Sequence, residues 1–297
     1  MLEDMTTPNV VEVFSCGSKT FLIGEYSAIF GGSAILLITD PQFSLEIIPN
    51  GITQLIGAGK NLPVIKFYHQ YREVFEGLSI TFTNSFRKYG GFGTSSAQFS
   101  LLYKLFLRRT NNKFNILDFL EEYRQLYYEN RIAHQIQPSG ADCLAQYCNH
   151  HIYFDSTSNY LEPIECNFSD IGMVIFKTGF KIFTHEHLRN IANETIADSA
   201  KRQLRQIVSD ALDCFKKGSG EMLAHCINEF FSFLNEMGFV DARSLDLAKK
   251  IMQIDGVIAA KGCGSMCLDT ILVIYRKNHS ECLRVISAYC SEKIDVN

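Results

Sequence analysis

The sequence predicts an α/β protein of the mixed α+β kind, and three observations carry that expectation. Apolar, β-branched runs at residues 10–14, 34–39 and 43–48 read as strands. Long segments with apolar residues at three- and four-residue steps then read as amphipathic helices. A strand followed by helices returns after residue 170, so neither a helical bundle nor an all-β sandwich fits. The 297 residues carry 28 Lys and Arg against 32 Asp and Glu, and 46% are hydrophobic, which excludes disordered and collagen-like chains. No internal repeat or low-complexity run interrupts the pattern.

Punctuation places the elements. Gly31-Gly32 and Asp40-Pro41 read as turns between the first strands. Thr94-Ser95-Ser96 reads as the cap of a helix from about residue 97 to 108, with Leu101, Leu102, Leu105 and Phe106 as its apolar stripe. A second helix is expected over residues 117–130, where Phe119, Leu120, Tyr123, Leu126 and Tyr127 recur on one face. Pro138 is expected to open a third, because proline lacks the donor that a first turn leaves unused. A strand at 151–154 and a polar stretch at 155–170 follow, and a domain boundary is placed there. The remainder reads as a strand at 173–176 and helices at 196–215, 221–237 and 244–254. Strands at 257–260 and 270–275 come next, with a closing helix at 280–289.

The formal charge of −4 provides no broad electrostatic footprint for nucleic acid, although a local pocket could still hold a small phosphate. No run reaches the ~18 apolar residues of a spanning helix, and the first residues lack the basic-then-apolar pattern of a signal peptide. The expectation is a cytoplasmic protein without a membrane partner. Ten cysteines are scattered with no CxxC pair, so they read as buried small hydrophobes. His150-His151 and His185-Glu-His187 have no further ligands at a metal-site spacing.

Four segments carry chemistry. In Tyr89-Gly-Gly-Phe-Gly-Thr-Ser-Ser-Ala97, glycines at 90, 91 and 93 can turn tightly and present successive N–H groups ahead of a helix N-terminus. The hydroxyls of Thr94, Ser95 and Ser96 could meet a phosphate oxygen or Mg²⁺; a plain capped turn is the alternative. The loop is neither GxxxxGK[ST] nor GxGxxG. In Gly17-Ser-Lys-Thr-Phe-Leu-Ile-Gly-Glu-Tyr26, Lys19 could neutralise a transferring phosphoryl group and Glu25 could position a polar substrate; a surface Lys and a strand-end Glu are the alternative. In Pro138-Ser-Gly-Ala-Asp142, a carboxylate near a helix start could orient a substrate hydroxyl or accept its proton, or could merely stabilise its own helix. Lys261-Gly-Cys-Gly-Ser265 joins two strands and could brace the glycine-rich loop, or be a simple hairpin connection.

Taken together and in this order, GSKTFLIGEY, GFGTSSA, PSGAD and KGCGS resemble the four motifs of the GHMP kinases, nearly end to end. That superfamily includes galactokinase, homoserine kinase, mevalonate kinase and phosphomevalonate kinase. The resemblance implies an N-terminal ATP-binding domain over residues 1–165 built around a left-handed βαβ unit. It also implies a C-terminal ferredoxin-like domain over residues 166–297. ATP and Mg²⁺ are the expected cofactors, and the partner is a small alcohol, with a homodimer left open. By position, Asp142 resembles the catalytic aspartate and Lys19 the lysine assisting it. Gly90, Gly91, Gly93, Thr94, Ser95 and Ser96 fall along the triphosphate, and Ser95 resembles the serine that ligates Mg²⁺. Substrate contacts are implied for Glu25, Tyr26, Ser139, Gly140, Lys181 and Thr184.

PSGxD is the form associated with mevalonate kinases, whereas Gly24-Glu25-Tyr26 gives the GEY common in phosphomevalonate kinases rather than GEH. Mevalonate is the substrate expected first and phosphomevalonate second. A phosphorylated substrate would demand a further cation such as Lys177 or Lys181. A diphosphomevalonate decarboxylase and a catalytically silent ligand sensor are the remaining alternatives. Two departures stand out. No glutamate precedes PSGxD in the family's register, leaving Glu129 as the metal candidate, and Met266 and Cys267 stand where glycines are usual.

Overall fold

The computed structural model describes residues 11–59, 62–84, 92–128, 137–178, 196–263 and 270–296. Two sheets organise the chain. The first holds β1 (Glu12–Ile23), β2 (Ser33–Pro49), β3 (Gln54–Ile56), β4 (Leu78–Asn84), β5 (Ile152–Asp155) and β6 (Tyr160–Pro163). Its order is β3-β4-β2-β5-β6, with β1 also paired to β2. The second holds β7 (Ile171–Lys177), β8 (Val257–Gly262), β9 (Thr270–Arg276) and β10 (Glu292–Asp295) in the order β10-β7-β9-β8, antiparallel throughout. Helices lie between its first and second strands in chain order and between its third and fourth, a ferredoxin-like arrangement. The mixed α/β class is as the sequence predicts.

Residues 34–39 and 43–48, expected as separate strands, form the single strand β2. Asp40 and Pro41 are not a turn. Gly17 pairs with Gln42 and Ser18 with Thr39, so the two residues between them bulge out and proline's missing donor costs no ladder bond. Beyond the bulge, Phe43, Leu45 and Ile47 point into the core at the two-residue period of a strand. A βαβ unit follows, in which β3 and β4 run parallel and α2 (Pro63–Gln70) connects them.

Helix α3 (Thr94–Thr110) begins three residues earlier than the sequence suggests. Thr94, Ser95 and Ser96 are its first turn, and Gly93 caps it in the left-handed conformation. Similarly, α5 (Ala141–Cys148) starts after Pro138 rather than on it, capped by Gly140. Between them runs α4 (Ile116–Tyr128). Buried Phe67, Phe99, Tyr103, Phe119 and Tyr123 meet in an aromatic cluster that joins α2, α3 and α4.

Of the helices α6 (Asp198–Lys217), α7 (Gly220–Glu236) and α8 (Ala242–Met252), the last two pack on β8 of the second sheet, and α6 packs on α7 and reaches β2 of the first. The expected closing helix is only α9 (Cys282–Ile286); the chain then returns as β10 beside β7. The polar stretch 155–170 contains β6, paired to β5 and unforeseen from sequence. The short α1 (Glu25–Ile29) bridges the two sheets' territories: Tyr26 packs on Phe239 with ring centres 5.1 Å apart. Beyond its end, Arg205 donates to the Gly31 carbonyl at 2.6 Å.

Phe67 touches Tyr71, Phe75, Phe99, Tyr103 and Phe106. Phe67→Ala is expected to cost about 3–5 kcal/mol, read as a lowered urea midpoint, because a cavity at this junction cannot close from one side alone.

Candidate functional site

The site is built where β1 runs between the N-termini of α3 and α5. Asp142, Gln146 and Asn149 follow one another at steps of four and three, so they share a face of α5 and its C-cap. That face is turned to β1: Asn149 Oδ1 accepts from the Gly17 N–H at 2.7 Å, and Gln146 Nε2 donates to the Gly17 carbonyl at 3.1 Å. A side chain at Gly17 would strike Ile38 and the Thr39 carbonyl. The β-bulge at Gly17 and Ser18 is thereby locked to α5, and Ser18 Oγ donates to the Pro41 carbonyl at 2.7 Å.

Lys19 is the next residue along. Its ammonium lies 3.9 Å from Asp142 Oδ2 and 5.0 Å from the centre of the Phe21 ring, with its side chain 12% exposed and that of Asp142 26% exposed. The other oxygen of Asp142 accepts from the Cys143 N–H at 3.0 Å. The carboxylate's field reaches its neighbours. Burial first, and then Asp142, pushes the phenols of Tyr123 and Tyr127 and the Cys143 thiol up, Tyr127 to about 12. These groups stay neutral around the acid.

The glycine-rich loop closes against the same lysine. The Lys19 amide donates to the Phe92 carbonyl at 3.2 Å, fixing the loop's last residues to β1. Gly93 has φ of 80°, and a Cβ there would lie 2.8 Å from both Cγ and Cε of Lys19. Only glycine combines that conformation with that approach. The Gly93 carbonyl accepts from the Ala97 amide at 2.8 Å and Ser96 Oγ at 2.9 Å. No side chain caps α3, so the first-turn amides keep the positive end of the helix open toward an anion. Ser95 Oγ is buried at the first turn of α3, where the Tyr127 hydroxyl is its neighbour and no other partner is found among the described residues. A hard oxygen donor at this place fits a Mg²⁺ ion carried on phosphate oxygens. No group of three His, Cys, Asp or Glu suited to hold a metal alone occurs among the described residues.

The remaining expected residues divide. Ser139 Oγ accepts from the Ala141 amide at 3.3 Å, while Arg124 Nη2 donates to the Ser139 carbonyl at 2.8 Å, which anchors the turn before α5. Gly140, at φ of 80°, faces Leu120 with no room for a side chain. Tyr26 is buried against Phe239. Glu25 is also buried, and its Oε1 pairs with Lys261 Nζ at 2.6 Å. Gly90, Gly91, Glu129, Lys181 and Thr184 lie outside the described residues. Reading the sequence alone did not reveal that Arg124, Gln146 and Asn149 build the site; the signal was the four-and-three spacing from Asp142. Lys177, offered as a second cation for a phosphorylated substrate, is 3% exposed and pairs with Glu292 at 2.6 Å, its ammonium 5.2 Å from the Phe92 ring centre.

An open helix N-terminus, a lysine lying along its capping glycine and a carboxylate beyond that lysine meet on a two-sheet α/β frame. Solved structures that share this fold include GHMP-type kinases. The mevalonate kinase of Methanococcus jannaschii superposes with a TM-score of 0.73 at 14% identity, over 97% of this chain and 98% of that one. The Streptococcus pneumoniae phosphomevalonate kinase in complex with phosphomevalonate and AMPPNP gives 0.76 at 12% identity, over 96% and 100%. The Lactococcus lactis galactokinase complexed with galactose gives 0.70 at 12% identity, over 96% and 93%. No protein-family model matches the sequence, and no curated protein matches it.

Gly93→Ala is expected to lower stability by about 1–2 kcal/mol from the left-handed backbone alone. It should also push the Lys19 side chain off its line to Asp142. Urea unfolding measures the first effect. A fall in the affinity of inorganic triphosphate, measured by calorimetry, reports the second.

Proposed function

We propose that this chain transfers the γ-phosphoryl group of ATP to the hydroxyl of a small alcohol, mevalonate in first place. The approach of Lys19 to Asp142 beside the uncapped N-terminus of α3 carries this reading. The nucleotide's phosphates would rest on the first-turn amides of α3 and on the loop ending at Gly93, within the unit formed by residues 1–165; residues 166–297 form the second. Ser95, with Glu129 as the candidate carboxylate, would hold Mg²⁺, which when bound neutralises charge on the phosphates.

Asp142 stands in the first turn of α5 with one carboxylate oxygen toward Lys19. As a carboxylate it orients the alcohol and accepts its proton as the oxygen attacks. Lys19 offsets the negative charge that gathers on the transferring group, from a position fixed by the β1 bulge and the Gly93 contact. Buried Tyr123 and Leu120 wall the site against water beneath α5. Ser139 and Gly140, in the turn before Asp142, with Glu25, Tyr26, Lys181 and Thr184, are the proposed substrate contacts. Commitment of Lys177 to Glu292 supports an unphosphorylated acceptor over phosphomevalonate. Among the described residues no helix is long and apolar enough to cross a membrane, compatible with action on a soluble metabolite in the cytoplasm.

An ADP-release assay with mevalonate, phosphomevalonate, galactose and homoserine tests the reading; turnover greatest with mevalonate is expected, and ADP release with none would contradict it. Asp142→Asn keeps the volume and removes the base. It should lower kcat by on the order of 10²–10⁴-fold while ATP still binds.

A further inference from the structure

Lys177 is the last residue of β7, and the second sheet holds its backbone from both sides, opposite Thr270 of β9 and Glu292 of β10. Its carbonyl also accepts from the Ser291 amide at 2.8 Å and from Ser291 Oγ at 3.1 Å. The side chain that starts from this fixed point ends in a buried ammonium. That ammonium meets Glu292 Oε2 at 2.6 Å and lies over the ring of Phe92, 5.2 Å from its centre. Part of Glu292 stays in water, whereas Phe92 is buried. An ammonium is drawn to the negative face of an aromatic ring, and more strongly where water is excluded.

Phe92 immediately precedes Gly93 in the glycine-rich loop, so the contact joins the second sheet to the proposed phosphate seat. Phe92 is thereby held at two points. Its carbonyl accepts from the Lys19 amide of β1 at 3.2 Å, and its ring lies under Lys177 of β7. A residue tied by one hydrogen bond can pivot about it; a residue tied at its carbonyl and its ring cannot. The peptide that leads into Gly93 is therefore fixed in direction, and Gly93, at φ of 80°, passes that direction to the first turn of α3.

We infer that Lys177 is a positioning residue for the nucleotide: through the Phe92 ring it fixes the glycine-rich loop against the first turn of α3, so that the amides there meet the phosphates in one geometry. Lys177 needs to touch neither the phosphates nor the alcohol in this role. It explains why a charge is buried where an apolar side chain would fill the same space with no desolvation cost. The inference rests on the kinase reading of the site.

Two single variants and their combination test it. K177M keeps an unbranched stem and removes the charge, while F92L keeps an apolar side chain and removes the ring. The dissociation constant of AMPPNP with Mg²⁺, measured by calorimetry on the full chain, is expected to rise about three- to thirtyfold in each, the range of a desolvated cation–ring contact. F92L/K177M should bind within about twofold of the weaker single variant, because both substitutions remove one shared contact. The KM of the best alcohol should stay within about twofold of that of the unaltered protein.

Three results overturn the inference. Unchanged AMPPNP affinity in F92L marks a contact that only packs, whatever happens to the melting temperature. Effects that multiply in the double variant mark a lysine acting on the phosphates by its charge rather than through the ring. A raised KM for the alcohol in K177M marks a lysine in the substrate site. Should K177M fail to fold, F92L decides alone: weakened AMPPNP binding with the alcohol's KM unmoved upholds the inference, and unchanged binding overturns it. If the unaltered protein binds no AMPPNP, the kinase reading falls and this inference with it; binding that the variants leave unchanged overturns the inference alone.

Discussion

Gln146 and Asn149 reach from α5 to the carbonyl and the N–H of one residue, Gly17, and the rest of the site is measured from that junction. A strand and a helix far apart in sequence have no covalent reason to keep a fixed register. Two hydrogen bonds to a single backbone residue supply one, because a slip by either partner would strand a buried donor or acceptor. Asp142 lies one turn before Gln146 and Lys19 two residues after Gly17, so locking the junction brings the acid and the ammonium to the same place. The packing around it agrees: Ser100 of α3 donates to the Cys143 carbonyl of α5 at 2.8 Å, which sets the two helix N-termini side by side.

The electrostatics of the site follow from where water is excluded. Among the described residues the open end of α3 offers unpaired amides without a cluster of basic side chains, which is how, in the proposed reading, a chain with a net charge of −4 would seat a polyanion. Among the described residues, Lys177 is paired with Glu292, Lys261 with Glu25, and Lys19 lies toward Asp142. Of these, the Lys19–Asp142 approach is the longest, at 3.9 Å. Tyr123 and Tyr127 remain neutral beside Asp142, so they shape its surroundings without competing for its proton.

Much of this was legible in the sequence because it rests on local chemistry. Gly93 ahead of Thr94-Ser95-Ser96, and Gly140 ahead of Asp142, announce helix starts through the residues such starts require, although both helices begin a few residues away from the positions expected. In each case a glycine in the left-handed conformation, rather than a hydroxyl or a proline, turned out to be the cap. Long amphipathic helices such as α6 and α7 were read to within about two residues, since their apolar stripes exceed four turns. Short edge strands were not: β10 buries only Ile294 and β6 buries nothing fully, so neither leaves a period to detect. The breaker Asp40-Pro41 misled because the two residues bulge out of the ladder opposite Gly17 and Ser18, with Ser18 and Pro41 23 positions apart, so the strand continues past them. The pairing of Glu25 with Lys261 was likewise invisible, as it joins residues 236 positions apart.

The central claim is that the first-turn amides of α3 receive the nucleotide's phosphates next to Lys19 and Asp142. Backbone amide chemical shifts of the intact protein, followed while AMPPNP and Mg²⁺ are added, test it most directly. The account predicts the largest changes at Gly93, Thr94, Ser95 and Ser96, with smaller ones at Lys19 and Asp142. Saturable binding whose shifts fall elsewhere and leave these amides unmoved would contradict it.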